Sequence, residues 1–343
     1  MDLNGKSILI TGGTGSFGQA FVKYVLSTFP QVKKLAIYSR DELKQFDMSK
    51  KFNESDYPAV RYYLGDVRDL NRLKFALEDI DIVIHAAALK QVPAAEYNPF
   101  EFIKTNVMGA QNIVDACLAT NVKKVVALST DKAAAPINLY GATKLCSDKI
   151  FSSSNFIKGS RDYSCSIVRY GNVMGSRGSV IPFFLNLKDK AEVPITHESM
   201  TRFNITLDEG IQTVMWALEN TVGGEIIVPK IPSYNILDVA KAILPDAKIK
   251  IIGIRPGEKL HEVMITETDS LSSVDYGDYY GIIPDFIWDN YLTLSKVEGV
   301  SRIIDPFTYD SCNNKHFLTV EEIKDKVEHI VKPYLRENND TLR

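Results

Sequence analysis

Short apolar segments alternate with stretches of helical periodicity through the first part of the chain. The apolar segments predict strands, at residues 7–11, 34–38, 60–65, 81–85 and 124–129. The amphipathic stretches predict helices, at residues 18–28, 71–77 and 100–121. Because parallel strands of one sheet need crossover helices, this alternation predicts an α/β fold with a doubly wound parallel sheet. Such sheets bind ligands at the carboxyl ends of their strands, so the residues after each strand are candidate site residues.

A glycine-rich segment follows the first predicted strand directly and leads into the first predicted helix. Glycines allow a tight turn and a close approach of the backbone to a pyrophosphate, while the helix N-terminus supplies N–H donors. Its position between strand and helix predicts a dinucleotide site rather than a plain turn. The residues assigned to this part of the site are Gly12, Thr14, Gly15, Ser16, Phe17 and Gly18.

The end of the second predicted strand indicates which dinucleotide is bound. An NAD site usually carries an acidic residue about 20 residues beyond the glycines, where it holds the ribose 2′-hydroxyl. This chain has Ser39 and Arg40 there, with Lys44 one helical turn further on, and all three can donate to a 2′-phosphate. The pattern therefore favours NADP over NAD. The alternative is that Arg40 is a solvated loop charge.

Two more strand ends supply cofactor contacts. Asp66 and Val67 follow the third strand, where a loop can contact the adenine. Ala86 lies in a run of small residues after the fourth strand, where the backbone passes close to a flat ligand. Lys90, a few residues later, is expected to contact a phosphate or a ribose.

A tyrosine and a lysine, Tyr140 and Lys144, have the i, i+4 spacing that puts both on one helix face. The ordinary tyrosine pKa of about 10 makes a poor base. We expect the lysine and a cationic nicotinamide to favour the phenolate, so that Tyr140 can take a hydroxyl proton. The fifth strand ends just before them in Ser129, Thr130, Asp131 and Lys132.

Together these segments resemble the extended short-chain dehydrogenase/reductase superfamily, with its Rossmann-type sheet. Within it they resemble the inverting UDP-N-acetylglucosamine 4,6-dehydratases of the pseudaminic-acid type. A sister group has Met at the position of Tyr140. The similarity runs from about residue 4 to 320, and its motifs are TGGTGSFG, SRDELK, GDVRD, HAAALKQVP, STDKAA, NLYGATK, RYGNVMGSRGS, MTRF and IRPGEKLHE.

The resemblance implies a reaction in which C4 of the sugar is oxidised, water is eliminated across C5 and C6, and the hydride returns to C6. The product would be a UDP-2-acetamido-2,6-dideoxy-L-arabino-hex-4-ulose, on the way to pseudaminic acid or a related surface sugar. The elimination needs an acid and a base. Asp131 and Lys132 are the expected pair, beside Thr130, and the division of roles between them stays open. Nearby cations are expected to lower the Lys132 pKa.

The resemblance also implies a substrate site shared with a second, smaller domain. Val173 is expected beside the nicotinamide, and Arg255, at a helix start, suits a diphosphate. An interface ion pair and a ligand contact are equally good interpretations of Arg202. The expected substrate residues are Lys90, Ser129, Thr130, Asn172, Ser179, Val180, Thr196, Arg255 and Asn314.

The regular alternation of predicted strands and helices ends after about residue 171, and this change sets the expected domain boundaries. The cofactor domain is expected at residues 1–171 with a return at about 205–230. The smaller C-terminal substrate domain is expected at about 172–204 and 231–333. A capping box at residues 319–322 predicts a late helix, and residues 334–343 are expected to fray.

Composition excludes several other functions. Forty Lys and Arg against 43 Asp and Glu give a net charge of −3, with no basic field for nucleic acid or a membrane surface. No apolar run approaches the roughly 20 residues of a membrane span. The four widely spaced cysteines predict free thiols, no metal site and a cytoplasmic protein. The resemblance implies a homo-oligomer, often a hexamer.

Three other functions remain open from the sequence. A nucleotide-sugar 4-epimerase shares the Tyr140–Lys144 pair but needs no acid–base pair at residues 131–132. A retaining 4,6-dehydratase differs in the configuration at C5, and in that type the resemblance places Glu where Lys132 stands. A regulatory protein that binds NADP without catalysis is disfavoured by the intact Tyr140, Lys144, Asp131 and Lys132.

Overall fold

The computed structural model describes residues 1–176, 178–187, 190 and 192–337. Its strands are β1 (Ser7–Thr11), β2 (Lys34–Ser39), β3 (Val60–Leu64), β4 (Ile82–His85), β5 (Lys124–Thr130), β6 (Ser164–Tyr170), β7 (Asn172–Val173), β8 (Glu192–Ile195), β9 (Thr201–Ile205), β10 (Ile226–Pro229), β11 (Ser233–Asn235), β12 (Lys248–Ile251), β13 (Val263–Ile265), β14 (Ser273–Asp275), β15 (Tyr279–Ile282), β16 (Ser301–Arg302) and β17 (Tyr309–Asp310).

The helices connect these strands and cover both faces of the main sheet. They are α1 (Ser16–Thr28), α2 (Glu42–Ser49), α3 (Leu70–Ala76), α4 (Val92–Tyr97), α5 (Pro99–Phe102), α6 (Gly109–Ala119), α7 (Leu139–Ile157), α8 (Val180–Leu185), α9 (Leu207–Asn220), α10 (Ile236–Ile243), α11 (Glu267–Ser270), α12 (Asp285–Trp288), α13 (Tyr291–Leu294), α14 (Val320–Lys326) and α15 (Lys332–Glu337). Within the described ranges, no helix is both long and apolar enough to cross a membrane.

The main sheet confirms the predicted doubly wound fold. Its parallel part has the strand order β10-β6-β5-β4-β1-β2-β3. Successive strands are added on one side of β1 as far as β3 and on its other side from β4 onward, so the strand order reverses between the parallel neighbours β1 and β4. Each strand of this part is connected to a later one through helices such as α1, α6 and α7. Both faces of the central strands are covered, so β1 is buried at every position and is apolar from residue 8 to residue 10.

The same sheet continues through three antiparallel strands that the sequence did not predict. β15 pairs with β10, β14 with β15, and β16 with β14. The whole of 231–333 was expected in the substrate domain, but its strands between 273 and 302 extend the main sheet instead. These strands are only two to four residues long and give no sustained apolar pattern.

A second hydrophobic cluster lies apart from the main sheet. Its largest members include Phe184 and Tyr234, and it also takes in Ile323 and Val331 from the C-terminal helical segment. The β12-β8 sheet packs into this cluster through Val193 and Ile195, whereas the β11-β9-β7 sheet contributes Tyr234 to it and Phe203 to the main core. The capping box is present at the start of α14, where the Thr319 side chain accepts from the Glu322 backbone N–H.

Two details of the helices differ from the sequence prediction. Residues 100–121 form α5, a π-helical segment (Ile103–Met108) and α6 rather than one regular helix. Residues 334–337, expected to fray, lie in α15, where Leu335 packs into the second cluster. Residues 338–343 and Arg177 lie outside the described residues.

Candidate active site

A cavity of about 730 Å³ opens at the carboxyl ends of the parallel strands, beside the reversal point between β1 and β4. Open α/β sheets bind their ligands at this position. Most of the residues predicted from the sequence meet here. The cavity is lined by Gly12, Thr14, Gly15, Ser16, Phe17, Gly18, Ser39, Arg40, Lys44, Asp66, Val67, Ala86, Lys90, Ser129, Thr130, Lys132, Tyr140, Lys144, Asn172, Val173 and Ser179, among others.

The glycine loop has the geometry of a cradle for a phosphate group. Gly12 has a φ of +66°, and a Cβ placed on it would lie 2.8 Å from the Ala87 backbone nitrogen. A Cβ on Gly18 would lie 2.4 Å from the Gly13 Cα, so helix α1 packs directly on the loop. The first turn of α1 lines the cavity and contains no acidic residue. This arrangement fits the pyrophosphate of a dinucleotide.

The end of β2 presents a mixed set of charges to the cavity. The buried Ser39 hydroxyl lies 3.0 Å from that of Thr14. Arg40 Nη1 lies 3.7 Å from Asp66 Oδ2, and Lys44 Nζ lies 2.7 Å from Asp41 Oδ2. The hydrogen bonds from Lys44 lower the pKa of Asp41. Both cations are about half exposed, so an incoming anion has access to them.

Helix α7 is locked against the end of β5 by three local features. The Asn138 side chain caps the helix by accepting from the Gly141 backbone N–H, at 2.8 Å. A Cβ on Gly141 would lie 2.2 Å from the Lys132 carbonyl oxygen, so only glycine allows this approach. Lys144 Nζ donates to the Leu128 carbonyl oxygen at 2.8 Å. The motif NLYGATK therefore sets the Tyr140–Lys144 pair beside Lys132.

Burial acts on Tyr140 in the opposite direction to the sequence expectation. It raises the pKa of the phenol to about 12, and the Lys132 charge offsets this only in part. Burial also lowers the pKa of Lys144. Formation of the phenolate therefore depends on positive charge brought in with a bound cofactor, rather than on the protein's own lysines.

The pKa of Lys132 also differs from the sequence expectation. Its Nζ lies 3.0 Å from Asp131 Oδ1 and 3.1 Å from Glu262 Oε1. Burial opposes the ammonium, but these two carboxylates outweigh burial and the neighbouring cations, so the Lys132 pKa is raised rather than lowered. Asp131 is completely buried, and burial raises the pKa of its carboxyl group. The pair is a buried ion pair rather than a solvated one.

Asn172 and Ser179 are the best-placed polar groups for a substrate. Both line the cavity, and Asn172 Oδ1 and Ser179 Oγ are buried without a hydrogen-bond partner among the described residues. Buried polar groups are normally satisfied, so these atoms suit a polar ligand. The Ser129 hydroxyl, in contrast, already donates to Asp148 Oδ2 at 2.8 Å, and Asp148 pairs with the buried Arg169.

Some predicted residues do not line the cavity. Asp131 lies behind its wall and contacts it only through Thr130 and Lys132. Val180 packs against the second cluster. Arg255, expected at a helix start, precedes a turn instead and is exposed beside Glu258. The Thr196 hydroxyl contacts Met200 Sδ, and the Asn314 amide donates to Ile231 and Ser233. Substrate roles for Val180, Thr196, Arg255 and Asn314 remain predictions.

The sequence interpretation missed Asn106, Tyr334 and Glu262, which lie at or behind the cavity, whereas it named Arg202 with two open interpretations. Asn106, in the π-helical segment, bonds both backbone groups of Leu89 and so holds the loop after β4. Tyr334 of α15 lines the cavity, and Glu262 and Arg202 form an ion pair at 3.7 Å behind Lys132. Arg202 is thus an internal ion-pair partner. Of the three missed residues, only Glu262 carried a sequence signal, since it ends the motif IRPGEKLHE.

A glycine loop at the reversal point of a Rossmann-type sheet, with a tyrosine–lysine pair on a crossover helix beside it, defines an extended short-chain dehydrogenase/reductase. The family described as polysaccharide biosynthesis protein matches residues 8–284. The chain belongs to this family. The resemblance to inverting UDP-N-acetylglucosamine 4,6-dehydratases is confirmed by one of the relatives that follow.

The chain is 50% identical to a UDP-N-acetylglucosamine 4,6-dehydratase (inverting) of Campylobacter jejuni, over 95% of this chain and 98% of that protein. It is 40% identical to a UDP-glucose 4-epimerase of Rickettsia canadensis, over 93% of this chain and 94% of that one. Among solved structures, Pen from Bacillus thuringiensis superposes with a TM-score of 0.88 at 35% identity, covering 98% of this chain and all of that one.

The glycine loop makes a direct prediction. Gly12→Ala should weaken dinucleotide binding at least about tenfold, because the new Cβ displaces the backbone at Ala87. Gly5→Ala is the matched control, since Gly5 has a similar φ of +70° but nothing within 4 Å of an added Cβ. Titration with NADP checks this, and equal affinity of the two variants would contradict the cradle.

Proposed function

We propose that this protein is an NADP-dependent 4,6-dehydratase of UDP-N-acetylglucosamine that inverts C5. The product is a UDP-2-acetamido-2,6-dideoxy-L-arabino-hex-4-ulose, the first step towards pseudaminic acid or a related surface sugar. The observation that carries the proposal is the buried Asp131–Lys132 pair, which the packing of Gly141 brings next to Tyr140. The identity to the Campylobacter jejuni dehydratase supports the substrate and the inversion.

The first step is oxidation at C4 of the sugar. A bound nicotinamide would accept the C4 hydride and return it to C6 after the elimination, while a solvent-derived proton adds to C5 from the face opposite to the one deprotonated, which inverts C5. Tyr140 removes the C4 hydroxyl proton, and Lys144, held by the Leu128 carbonyl, fixes the position of the helix face that carries it. Because the tyrosine pKa is about 12 in the protein alone, proton transfer needs the positive charge of the oxidised cofactor nearby.

The second step is elimination across C5 and C6. The 4-keto group acidifies the C5 hydrogen, and Lys132 takes this proton as a neutral amine. Asp131 lies behind the cavity wall, so its proton reaches the departing C6 hydroxyl through the Thr130 hydroxyl, which lines the cavity; the raised Asp131 pKa favours this role. Thr130 donates to Asp131 Oδ1 at 3.0 Å and keeps the carboxyl group oriented.

The sugar nucleotide is held by two buried polar groups and by cationic side chains. Asn172 and Ser179 offer buried polar atoms in the cavity. Lys90 adds a cation, with a pKa lowered by desolvation and by the Lys132 charge. These groups suit the diphosphate and the acetamido sugar. Arg255 is exposed at the start of its own turn, where it can contact a phosphate that reaches beyond the cavity.

The choice of NADP rests on the end of β2. Ser39 is a neutral hydroxyl where an NAD site has a carboxylate, and Arg40 and Lys44 are exposed enough to bind a 2′-phosphate. Asp41 and Asp66 oppose this choice, since each already pairs with one of the cations. A phosphate must therefore displace two exposed ion pairs, and such pairs are weak.

Two broader features complete the proposal. The free cysteines, of which Cys117 and Cys165 are buried, are typical of a cytoplasmic protein. The family resemblance supports a homo-oligomer, with a hexamer as the first form to test.

A 4-epimerase is the second candidate, favoured by the identity to the Rickettsia canadensis protein. Both reactions begin with the Tyr140–Lys144 pair. An epimerase has no use for a buried acid and base at C5 and C6, so the Asp131–Lys132 pair favours the dehydratase. Lys132, in place of a glutamate, favours the inverting type over the retaining type.

The cofactor choice predicts a selective loss. Arg40→Ala should weaken NADP binding about 10- to 150-fold, the equivalent of one charge-assisted hydrogen bond of about 1.5–3 kcal/mol, and should leave NAD binding nearly unchanged. Arg161→Ala removes another exposed arginine and serves as the control. Titrations with both cofactors give the answer, and equal losses for NADP and NAD would refute the assignment.

The two steps predict different defects in two variants. Tyr140→Phe should block C4 oxidation and everything after it. Lys132→Met should still permit C4 oxidation while slowing deuterium incorporation at C5 about 10²- to 10⁴-fold, because it removes only the base. Lys149→Met, an exposed lysine on α7, is the control. Single-turnover cofactor absorbance and C5 exchange in D2O measure both steps, and normal exchange in Lys132→Met would exclude Lys132 as the base.

A further inference from the structure

Glu262 approaches Lys132 from a part of the chain far from the Asp131–Ala133 turn. It directly precedes β13 and is 2% exposed. Its Oε1 lies 3.1 Å from Lys132 Nζ, while Asp131 Oδ1 lies 3.0 Å from the same nitrogen. The Lys132 ammonium therefore bridges two buried carboxylates, only one of which belongs to the proposed acid–base pair.

Glu262 accepts fewer hydrogen bonds than Glu225, a buried carboxylate away from the cavity. Glu225, fully buried beneath β10, accepts hydrogen bonds on both oxygens, from the Val222 and Gly223 backbone and the Tyr291 hydroxyl. Glu262 Oε2 has no hydrogen-bond partner among the described residues. Asp131 Oδ2, in the same cluster, also lacks a partner. Hydrogen bonding within the fold therefore leaves one oxygen of each carboxylate beside Lys132 unused, at a cost in stability.

The charges around this cluster keep Glu262 ionised. Arg202 lies 3.7 Å away and is itself fixed by the carbonyl oxygens of residues 201, 259 and 260. Burial alone would raise the Glu262 pKa, but the charges of Lys132, Arg202 and Lys259 outweigh burial and lower it. Asp131 has no such surplus of cations, and its pKa is raised. The other titratable groups that face Lys132 are Lys90, Tyr140 and Tyr234.

We propose that Glu262 is a positioning residue for the elimination, one that holds Lys132 and stabilises the charge Lys132 acquires as the base. The inference rests on the proposed dehydratase function and deepens it. Moving one proton from the Lys132 ammonium to the Asp131 carboxylate yields a neutral amine and a neutral acid. Glu262 stays a carboxylate throughout.

The proton balance of the elimination then closes within the cluster. The Lys132 amine takes the C5 proton, and the C5–H electron pair forms the C5–C6 double bond as the C6–O bond breaks. The Thr130 hydroxyl passes a proton to the departing hydroxyl, which leaves as water, and takes the proton of Asp131 in return. The ammonium and the Asp131 carboxylate are thereby restored, with the ammonium again facing Glu262.

This arrangement predicts a change in pH dependence when Glu262 loses its charge. The active pair carries one shared proton, and a negative neighbour helps to retain it. Glu262→Gln should therefore release that proton at lower pH, moving the alkaline limb of the C5 exchange rate down by about one pH unit or more. The exchange rate below the limb should fall at least about tenfold, since the amine is a weaker base. C4 oxidation should remain close to wild type.

Two further variants separate this role from a structural one. Glu262→Asp keeps the charge at a longer distance and should show a smaller shift in the same direction, which also covers the case in which Glu262→Gln does not fold. Glu225→Gln removes an equally buried carboxylate away from the cavity. It should lower thermal stability while the alkaline limb of the folded enzyme stays in place.

The measurement is single-turnover C5 exchange in D2O across a pH series, with cofactor absorbance followed in parallel. If both Glu262 variants keep the alkaline limb and the C5 exchange rate of the wild type, the inference is overturned while the proposed dehydratase function stands. Parallel loss of oxidation and exchange, with no shift in the limb, would assign Glu262 a structural role and overturn it equally. If the wild-type protein shows neither oxidation nor exchange, the proposed function is refuted, and the inference with it.

Discussion

The contact between helix α7 and the turn after β5 organises the whole site. Gly141 lies against the Lys132 carbonyl oxygen, and Lys144 bonds the Leu128 carbonyl at 2.8 Å. These two contacts bring the tyrosine–lysine pair and the Asp131–Lys132 pair to one end of one strand. A side chain larger than hydrogen at position 141 would separate the group for oxidation at C4 from the groups for elimination. The proposed two-step chemistry in one cavity depends on this packing.

Burial and charge act against each other throughout the cavity, and the balance differs from residue to residue. Burial prevails at Tyr140, whose pKa rises to about 12, and at Lys144, whose pKa falls. Charge prevails at Lys132, because two carboxylates face one ammonium. The protein alone thus stores a neutral phenol and a charged lysine. In the proposed mechanism, a bound cofactor supplies positive charge beside Tyr140, and proton transfer to Asp131 leaves Lys132 as a neutral amine.

The parts of the site that could be predicted from the sequence are those encoded within one strand–loop–helix segment. The glycine loop, the end of β2 and the Tyr140–Lys144 spacing are local patterns, and the cavity contains all of them. The protonation state of Lys132 could not be predicted, since its pKa depends on Asp131 together with Glu262, a residue distant in the chain. Tyr334 was missed for a related reason, because the helix that brings it to the cavity is stabilised by tertiary packing of Val331 and Leu335. Short edge strands such as β14 lack any pattern of their own.

The configuration and composition of the product test the central claim most directly. The wild-type protein is incubated with UDP-N-acetylglucosamine and NADP in D2O, and the sugar is examined by NMR. The account predicts a 4-keto-6-deoxy sugar with deuterium at C5 and the inverted C5 configuration. A sugar that keeps its C6 hydroxyl and differs only at C4 would contradict the account, because that product belongs to an epimerase.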